Sequence, residues 1–81
     1  MTIPIQFWSY FRDLAGVPGL EVELAEEATV ADALDLVYIC HPKLAALRKS
    51  TLIAVGVDYA SPGQVLRPGD EIALFPPVQG G

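Results

Sequence analysis

Cysteine and histidine are nearly absent from the 81 residues, each occurring once, as Cys40 and His41. A lone cysteine cannot form an intramolecular disulfide, and one Cys with one His cannot complete a zinc or iron–sulfur centre. We therefore expect neither a metal site nor a disulfide framework. We interpret Cys40 as a small apolar side chain near a helix end, because free Cys is usually buried.

Positive charge is also scarce, with five Lys/Arg against ten Asp/Glu and a net charge of −5. The imbalance lies in residues 1–40, where one cation against seven anions gives 1 − 7 = −6. An acidic chain repels the phosphate backbone, so we expect no nucleic-acid partner. Lys43, Arg48 and Lys49 form a small basic group that we interpret as a solvated surface.

Long hydrophobic runs and a basic leader are missing as well. Runs such as Leu36–Cys40 are far too short to span a bilayer, so we expect no membrane partner and a cytoplasmic location. A chain of this length forms one domain, without room for a deep enclosed active site. It contains no phosphate-binding or nucleophile-elbow motif, so we expect it not to be an enzyme on its own.

The first half predicts two strands and a helix. Ile3, Ile5 and Phe7 alternate with other residues, and a second alternation over residues 20–24 follows the turn at 16–19, which predicts a hairpin. Helical spacing then begins after Thr29, with Asp32 completing a capping box, and Pro42 ends this helix near Cys40. A second short helix or turn is predicted over residues 44–47.

The second half predicts two further strands. Residues 52–57 are apolar on both parities, which is typical of a covered strand. Arg67-Pro68-Gly69-Asp70 predicts a type II turn that leads directly into a last strand over residues 71–75. The order β-β-α-β-β predicts an α+β domain over residues 1–75, with one main helix across a mixed sheet and the last strand beside the first.

The six terminal residues have no predicted role in packing. Consecutive prolines cannot continue a central strand, and they favour an extended path away from the domain. Glycines without a Cβ make the end narrow enough to thread a channel in another protein. We therefore predict an extended tail over residues 76–81, with the sequence Pro76-Pro77-Val78-Gln79-Gly80-Gly81.

Four segments together resemble the ubiquitin-like sulfur carriers, a family that includes the small subunits of molybdopterin synthases. They are Arg12-Asp13-Leu14-Ala15-Gly16, Ala28-Thr29-Val30-Ala31-Asp32, Pro68-Gly69-Asp70-Glu71-Ile72-Ala73 and, most specifically, the terminal Pro76–Gly81. The resemblance covers the whole chain. It departs after the third strand, where the family usually has an Asn and this chain has Gly56-Val57-Asp58-Tyr59.

The resemblance implies a ubiquitin-like β-grasp fold and a carrier cycle. An ATP-dependent activating enzyme would adenylate Gly81, and a sulfurtransferase or other donor would convert it to a thiocarboxylate. Pro76, Pro77, Val78, Gln79 and Gly80 would thread into the large subunit of the synthase, within a heterotetramer. The resemblance implies no permanently bound cofactor, since the partner consumes the ATP.

Parity places further residues at a partner interface. Trp8 and Phe75 have the opposite parity from the core positions of their strands, so both should emerge on the sheet face away from the helix, where Tyr59 could join them. Exposed aromatic side chains are typical anchors of protein–protein interfaces. We add Arg12 as a weaker candidate for a contact near the start of the tail.

Three functions from different classes stay open. The first is the sulfur carrier of a molybdopterin synthase. The second is a carrier for thiamine or cysteine synthesis, or a modifier that forms isopeptide bonds with proteins. The third is a β-grasp module that only binds partners. The terminal motif and the chain length favour the first.

Overall fold

The computed structural model describes residues 1–77, which form one five-stranded mixed sheet with helices. Along the sheet the strands lie in the order β2-β1-β5-β3-β4. The elements are β1 (Thr2–Phe7), α1 (Tyr10–Ala15), β2 (Gly19–Glu23), α2 (Val30–Cys40), α3 (Pro42–Ala45), a 3-10 turn (Arg48–Ser50), β3 (Leu52–Val55), β4 (Asp58–Tyr59) and β5 (Ile72–Phe75).

The strand pairing matches the prediction. β1 and β2 form an antiparallel pair, and the last strand β5 lies parallel to β1, between it and β3. Pro4 is tolerated within β1 although it has no N–H to donate. The parallel pairing of β1 with β5 begins one residue later, at Ile5 opposite Ile72, so no hydrogen bond of that ladder needs the N–H of Pro4.

The core lies between one face of the sheet, which we call the inner face, and the helices. The predicted odd positions of β1 are all buried there, together with alternate residues of β3 and β5 and the apolar stripe of α2. The most completely buried side chains are Ile3, Ile5, Phe7, Phe11, Val30, Leu34, Val37, Leu44, Leu66, Ile72 and Leu74. This burial supplies most of the favourable free energy of folding.

The main helix α2 begins with the predicted capping box. The Thr29 hydroxyl accepts a hydrogen bond from the Asp32 N–H at 3.3 Å, and the Asp32 carboxylate accepts one from the Thr29 N–H at 2.9 Å. Two otherwise unpaired donors of the first turn are thus satisfied. The helix ends at Cys40, and Pro42 starts α3 at a first-turn position that needs no N–H.

The expectation that Cys40 packs as a small apolar side chain is wrong, because the residue is exposed. Its neighbour His41 takes the place on the buried stripe, one turn after Val37. The His41 ring meets Phe7 edge to face, with centroids 5.5 Å apart. Cys40 therefore turns outward beside Ile39, which is 74% exposed.

Helix α1, the 3-10 turn Arg48–Ser50 and strand β4 were not predicted. Helix α1 lies between the first two strands and is capped after Ala15 by Gly16, which has φ +77° and donates its N–H to the Arg12 carbonyl at 2.8 Å. Strand β4 follows a two-residue turn at Gly56-Val57 that ends β3 earlier than predicted. Gly56 has φ +63°, a conformation that Asn also enters readily, so Gly can replace the family's usual Asn in this turn.

The turn before β5 agrees with the predicted type II geometry. Gly69 has φ +92°, and the Asp70 N–H donates to the Arg67 carbonyl at 3.0 Å. The Asp70 carboxylate also accepts a hydrogen bond from the Arg67 N–H at 2.8 Å. This closed turn fixes the start of β5 and therefore the register of its two faces.

Candidate functional site

The sheet face opposite the helices, which we call the outer face, carries two of the predicted aromatic residues in contact. The rings of Trp8 and Phe75 stack with centroids 5.7 Å apart and planes 10° apart. The backbone N–H of Trp8 donates a hydrogen bond to the Leu74 carbonyl at 3.0 Å, so the end of β1 is tied to the end of β5. Trp8 is nevertheless 41% exposed, which leaves part of the stack open to a partner.

Arg12 extends this stack from helix α1. Its guanidinium carbon lies 5.7 Å from the centre of the Trp8 ring, a cation–π distance. Ser9 makes the contact possible, because its φ of +56° turns the chain sharply between Trp8 and α1. Within residues 1–77 Arg12 forms no salt bridge, so its charge is offered to the surface beside the aromatic pair.

Tyr59 lies on the same face but in a different depression. It is 78% exposed on β4 and pairs with Ala54, which in turn pairs with Ala73 of β5. Directly opposed residues share a face, so small side chains separate Tyr59 from the centre of the sheet. Phe75 lines this depression too, and its lining residues are Ala54, Gly56, Val57, Tyr59 and Phe75. Trp8 and Tyr59 are therefore on opposite sides of Phe75.

A second depression lies across the stack, over β1 and β2. Gly19 is required here, because a Cβ at this position would come within 2.3 Å of the Ile5 carbonyl oxygen. Arg12 and Glu21 place one charge of each sign in its lining. The lining residues are Pro4, Ile5, Gln6, Phe7, Trp8, Arg12, Pro18, Gly19, Leu20 and Glu21.

Sequence reasoning missed the small residues of the outer face. Ala54 lines the depression beside Tyr59, and Ala73 is its partner on β5. Since β3 is apolar on both parities, its sequence does not reveal which of its residues face outward. The available signal was the pairing of β3 with β5. Once Ile53 is opposite Leu74 in the core, Ala54 and Ala73 must share the outer face.

The tail begins directly at this surface. β5 ends at Phe75, and the half-buried Pro76 and Pro77 follow it outside any strand. The remaining predicted tail residues, Val78, Gln79, Gly80 and Gly81, lie outside the described residues. Their threading role and the chemistry of Gly81 therefore stay predictions.

A shifted pKa is found on the other side of the sheet from the outer face, at Tyr38 on α2. Burial raises the pKa of the Tyr38 hydroxyl above 10.0, while Thr51 and the Arg48 guanidinium partly offset this. The hydroxyl is buried and has no hydrogen bond of good geometry to a described residue, which fits burial as the larger effect.

Metal-ligating side chains do not cluster within the described residues. No group of three or more His, Cys, Asp or Glu side chains within residues 1–77 is arranged to hold a metal ion. Helix α2, the longest in this part of the chain, is far shorter than a membrane span, and none of the described helices could cross a bilayer. What the outer face provides is a contact surface next to a tail.

Comparisons with known proteins show similarity along nearly the whole chain. The ThiS family model matches residues 5–81. The molybdopterin synthase sulfur carrier subunit of Chlamydomonas reinhardtii is 32% identical over 83 residues, covering 100% of both chains. Small archaeal modifier protein 1 of Haloferax volcanii is 38% identical over 85 residues, covering 91% of this chain and 98% of the modifier.

The fold comparison gives the same result. The crystal structure of SAMP1 from Haloferax volcanii superposes with a TM-score of 0.88 at 29% identity and covers 100% of both chains. The mixed sheet with its helices is thus the ubiquitin-like β-grasp fold that the sequence predicts. The chain therefore belongs to the ThiS family, the ubiquitin-like sulfur carriers that its terminal motif resembles.

Proposed function

We propose that this chain is the sulfur-carrying subunit of a molybdopterin synthase and acts in the cytoplasm. The observation that carries the proposal is the full-length similarity to sulfur carrier subunits of that enzyme, together with the terminal Gly80-Gly81 that the family model includes. The chain would carry the sulfur on Gly81, and its partners would supply the catalytic groups.

The proposed chemistry takes place at the terminal carboxylate. A carboxylate is a poor acyl donor because its leaving group would be oxide, so the activating enzyme first uses ATP to form an acyl-adenylate at Gly81. A sulfur donor, delivered by a sulfurtransferase, then displaces AMP and leaves a thiocarboxylate. Its sulfur is a good nucleophile at neutral pH. The large subunit would use two such carriers in turn to build the dithiolene from the pyranopterin precursor.

The outer face would hold the carrier on each partner while the tail reacts. Trp8, Phe75, Arg12 and Tyr59 would be the contact residues, both with the activating enzyme and with the large subunit in a heterotetramer. Phe75 is the last strand residue before the tail, so fixing the Trp8–Phe75 stack also fixes the tail's starting point. Six residues from Pro76 to Gly81 would reach on the order of 20 Å into the partner. Such positioning raises the local concentration of the reacting group.

Protein modification is the second candidate. The specific observation in its favour is the 38% identity to a small archaeal modifier protein. In that function a lysine amine of another protein would attack the activated Gly81 and form an isopeptide bond, with no sulfur delivered to a pterin. The first activation step is common to both functions, so the acceptor distinguishes them.

Intact-mass analysis tests the proposal. The chain is incubated with ATP, the activating enzyme and a sulfur source, and we expect the mass increase for one oxygen replaced by sulfur at Gly81. The purified thiocarboxylate is then given to the large subunit with the pyranopterin precursor, where the sulfur should be lost to the pterin. Deleting Gly81 is the matched control and should abolish both steps without changing the fold.

Two outcomes would contradict the proposal. If a known carrier is modified under the same conditions and this chain is not, the carrier function is wrong. If the thiocarboxylate forms but is consumed only by protein lysines, the modifier function replaces the synthase function.

A further inference from the structure

Strand β2 is an edge of the sheet, and its register shows which backbone groups are free. Met1 and Leu24 exchange hydrogen bonds in both directions, at 2.7 and 2.8 Å. Along an antiparallel ladder, hydrogen-bonded pairs alternate with pairs that are not hydrogen-bonded. The next hydrogen-bonded pair after Met1–Leu24 is therefore Ile3–Val22. The N–H and C=O groups of Glu21 and Glu23 therefore point away from β1, toward the open edge.

The side chains along this edge differ between the two faces. Glu21 and Glu23 are exposed on the outer face, where the Thr2 hydroxyl donates a hydrogen bond to the Glu23 carboxylate. On the inner face Leu20 and Leu24 are only half-buried, although both pack against the core. An additional strand would thus meet carboxylates on one side and incompletely covered leucines on the other.

We propose that the β2 edge binds an extended segment of a partner protein in which apolar and basic residues alternate. The backbone of the segment would bond to Glu21 and Glu23 and add a sixth strand to the five present. Its Lys or Arg side chains would pair with the two carboxylates, and its apolar side chains would cover Leu20 and Leu24. This edge adjoins the depression beside the Trp8–Phe75 stack, whose lining includes Leu20 and Glu21. The inference does not depend on the function proposed for the tail.

Charge selects this occupant over a second copy of the chain. Pairing two β2 strands would bring four glutamates together at one seam, and like charges in opposing positions are destabilising. Residues 1–40 carry a net charge of −6, so a basic segment is attracted to this half of the molecule and an acidic one is repelled.

The test uses a synthetic peptide, acetyl-Val-Lys-Val-Lys-Val-Lys-Val-amide, titrated into the full chain. We expect saturable binding, with slower amide hydrogen exchange at Glu21 and Glu23, because the added strand protects these N–H groups. A peptide of the same sequence with every backbone nitrogen methylated keeps the charges but has no N–H to donate along either edge. It should bind at least about tenfold more weakly.

Charge reversal on each edge of the sheet provides the matched variants. Glu21→Lys with Glu23→Lys should weaken peptide binding about tenfold or more at low salt. Asp58→Lys on the exposed edge strand β4, combined with Glu71→Lys directly before β5, makes the same change in net charge and should leave binding unchanged. Far-UV circular dichroism and the urea midpoint report whether each variant is folded, and the single variants Glu21→Gln and Glu23→Gln replace the double one if it is not.

Three outcomes would overturn the inference. Equal binding of the N-methylated peptide would show charge attraction without strand addition. Equal loss of binding in the Asp58→Lys, Glu71→Lys variant would show an unspecific effect of net charge. Concentration-dependent dimerisation that protects the Glu21 and Glu23 amides without peptide would show that a second copy occupies the edge.

Discussion

Leu74 and Phe75 are consecutive residues of one strand with opposite environments. Leu74 is 1% exposed on the inner face, within a core made almost entirely of aliphatic side chains and phenylalanine. Phe75 stacks on Trp8 on the outer face, between two depressions with aromatic, small and charged lining residues. One strand thus has a buried face that stabilises the fold and an outer face to which we assign partner recognition.

The largest effect on stability is expected on the inner face. Leu74→Ala removes a fully buried side chain and leaves a cavity, so it should lower the free energy of unfolding by about 2–5 kcal/mol. That is a large part of the 5–15 kcal/mol typical of small domains. Urea unfolding followed by circular dichroism measures the change. A loss below about 1 kcal/mol would mean that the inner face does not supply the stability assigned to it here.

The next largest effect is a loss of partner affinity on the outer face. Trp8→Ala or Phe75→Ala should weaken binding to the partners proposed above, the large subunit and the activating enzyme, about tenfold or more, as for an aromatic anchor. Loss of the stack itself should lower the free energy of unfolding by only about 0.5–1.5 kcal/mol. Pull-down affinity compared with the urea midpoint separates the two quantities.

Ile39→Ala is the matched control for these variants. Ile39 is also apolar and 74% exposed, but it lies on α2, on the opposite side of the sheet. It should leave partner affinity unchanged. Unchanged affinity in Trp8→Ala and Phe75→Ala, or an equal loss in Ile39→Ala, would end the assignment of recognition to the outer face.

The inner face was the more predictable of the two. Alternation at Ile3, Ile5 and Phe7 identified the core side of β1, and Thr29 with Asp32 identified the start of α2. These signals are local, because side-chain period and capping depend only on neighbours in sequence. The stacking of Trp8 on Phe75 needed one further step, the parallel pairing of the first and last strands.

The unpredicted features lack such local signals. Helix α1 has six residues and buries only Phe11, so it has no apolar period to recognise. β4 has two residues, and its position follows from the turn at Gly56. The exposure of Cys40 depends on His41 packing against Phe7, a contact between residues far apart in sequence. Tertiary contacts decide all three.

Ser9 connects the two faces and gives a smaller, stabilising prediction. Its φ of +56° and ψ of −139° lie in a region that favours glycine, and the turn sends Trp8 outward and Phe11 into the core. Ser9→Gly should raise the free energy of unfolding by about 1 kcal/mol, because it relieves backbone strain. Ser61→Gly, in a loop without positive φ, is the control and should be neutral or slightly destabilising. Destabilisation by Ser9→Gly would show that the turn is not strained.

The smallest expected effect concerns alkaline pH on the helix side of the sheet. Burial raises the pKa of Tyr38 in the folded state, so folding favours the protonated hydroxyl. The stability from this group is complete below pH 10 and is lost as pH rises through the folded-state pKa. Tyr38→Phe should therefore flatten the fall in the free energy of unfolding above pH 10, measured by urea titration across pH 8–11. Tyr59→Phe, at a tyrosine that is 78% exposed on the outer face, is the matched control. If the free energy of unfolding of Tyr38→Phe falls above pH 10 as steeply as that of the wild type, groups elsewhere in the molecule cause the fall. The buried Tyr38 hydroxyl would then not distinguish the helix side from the outer face.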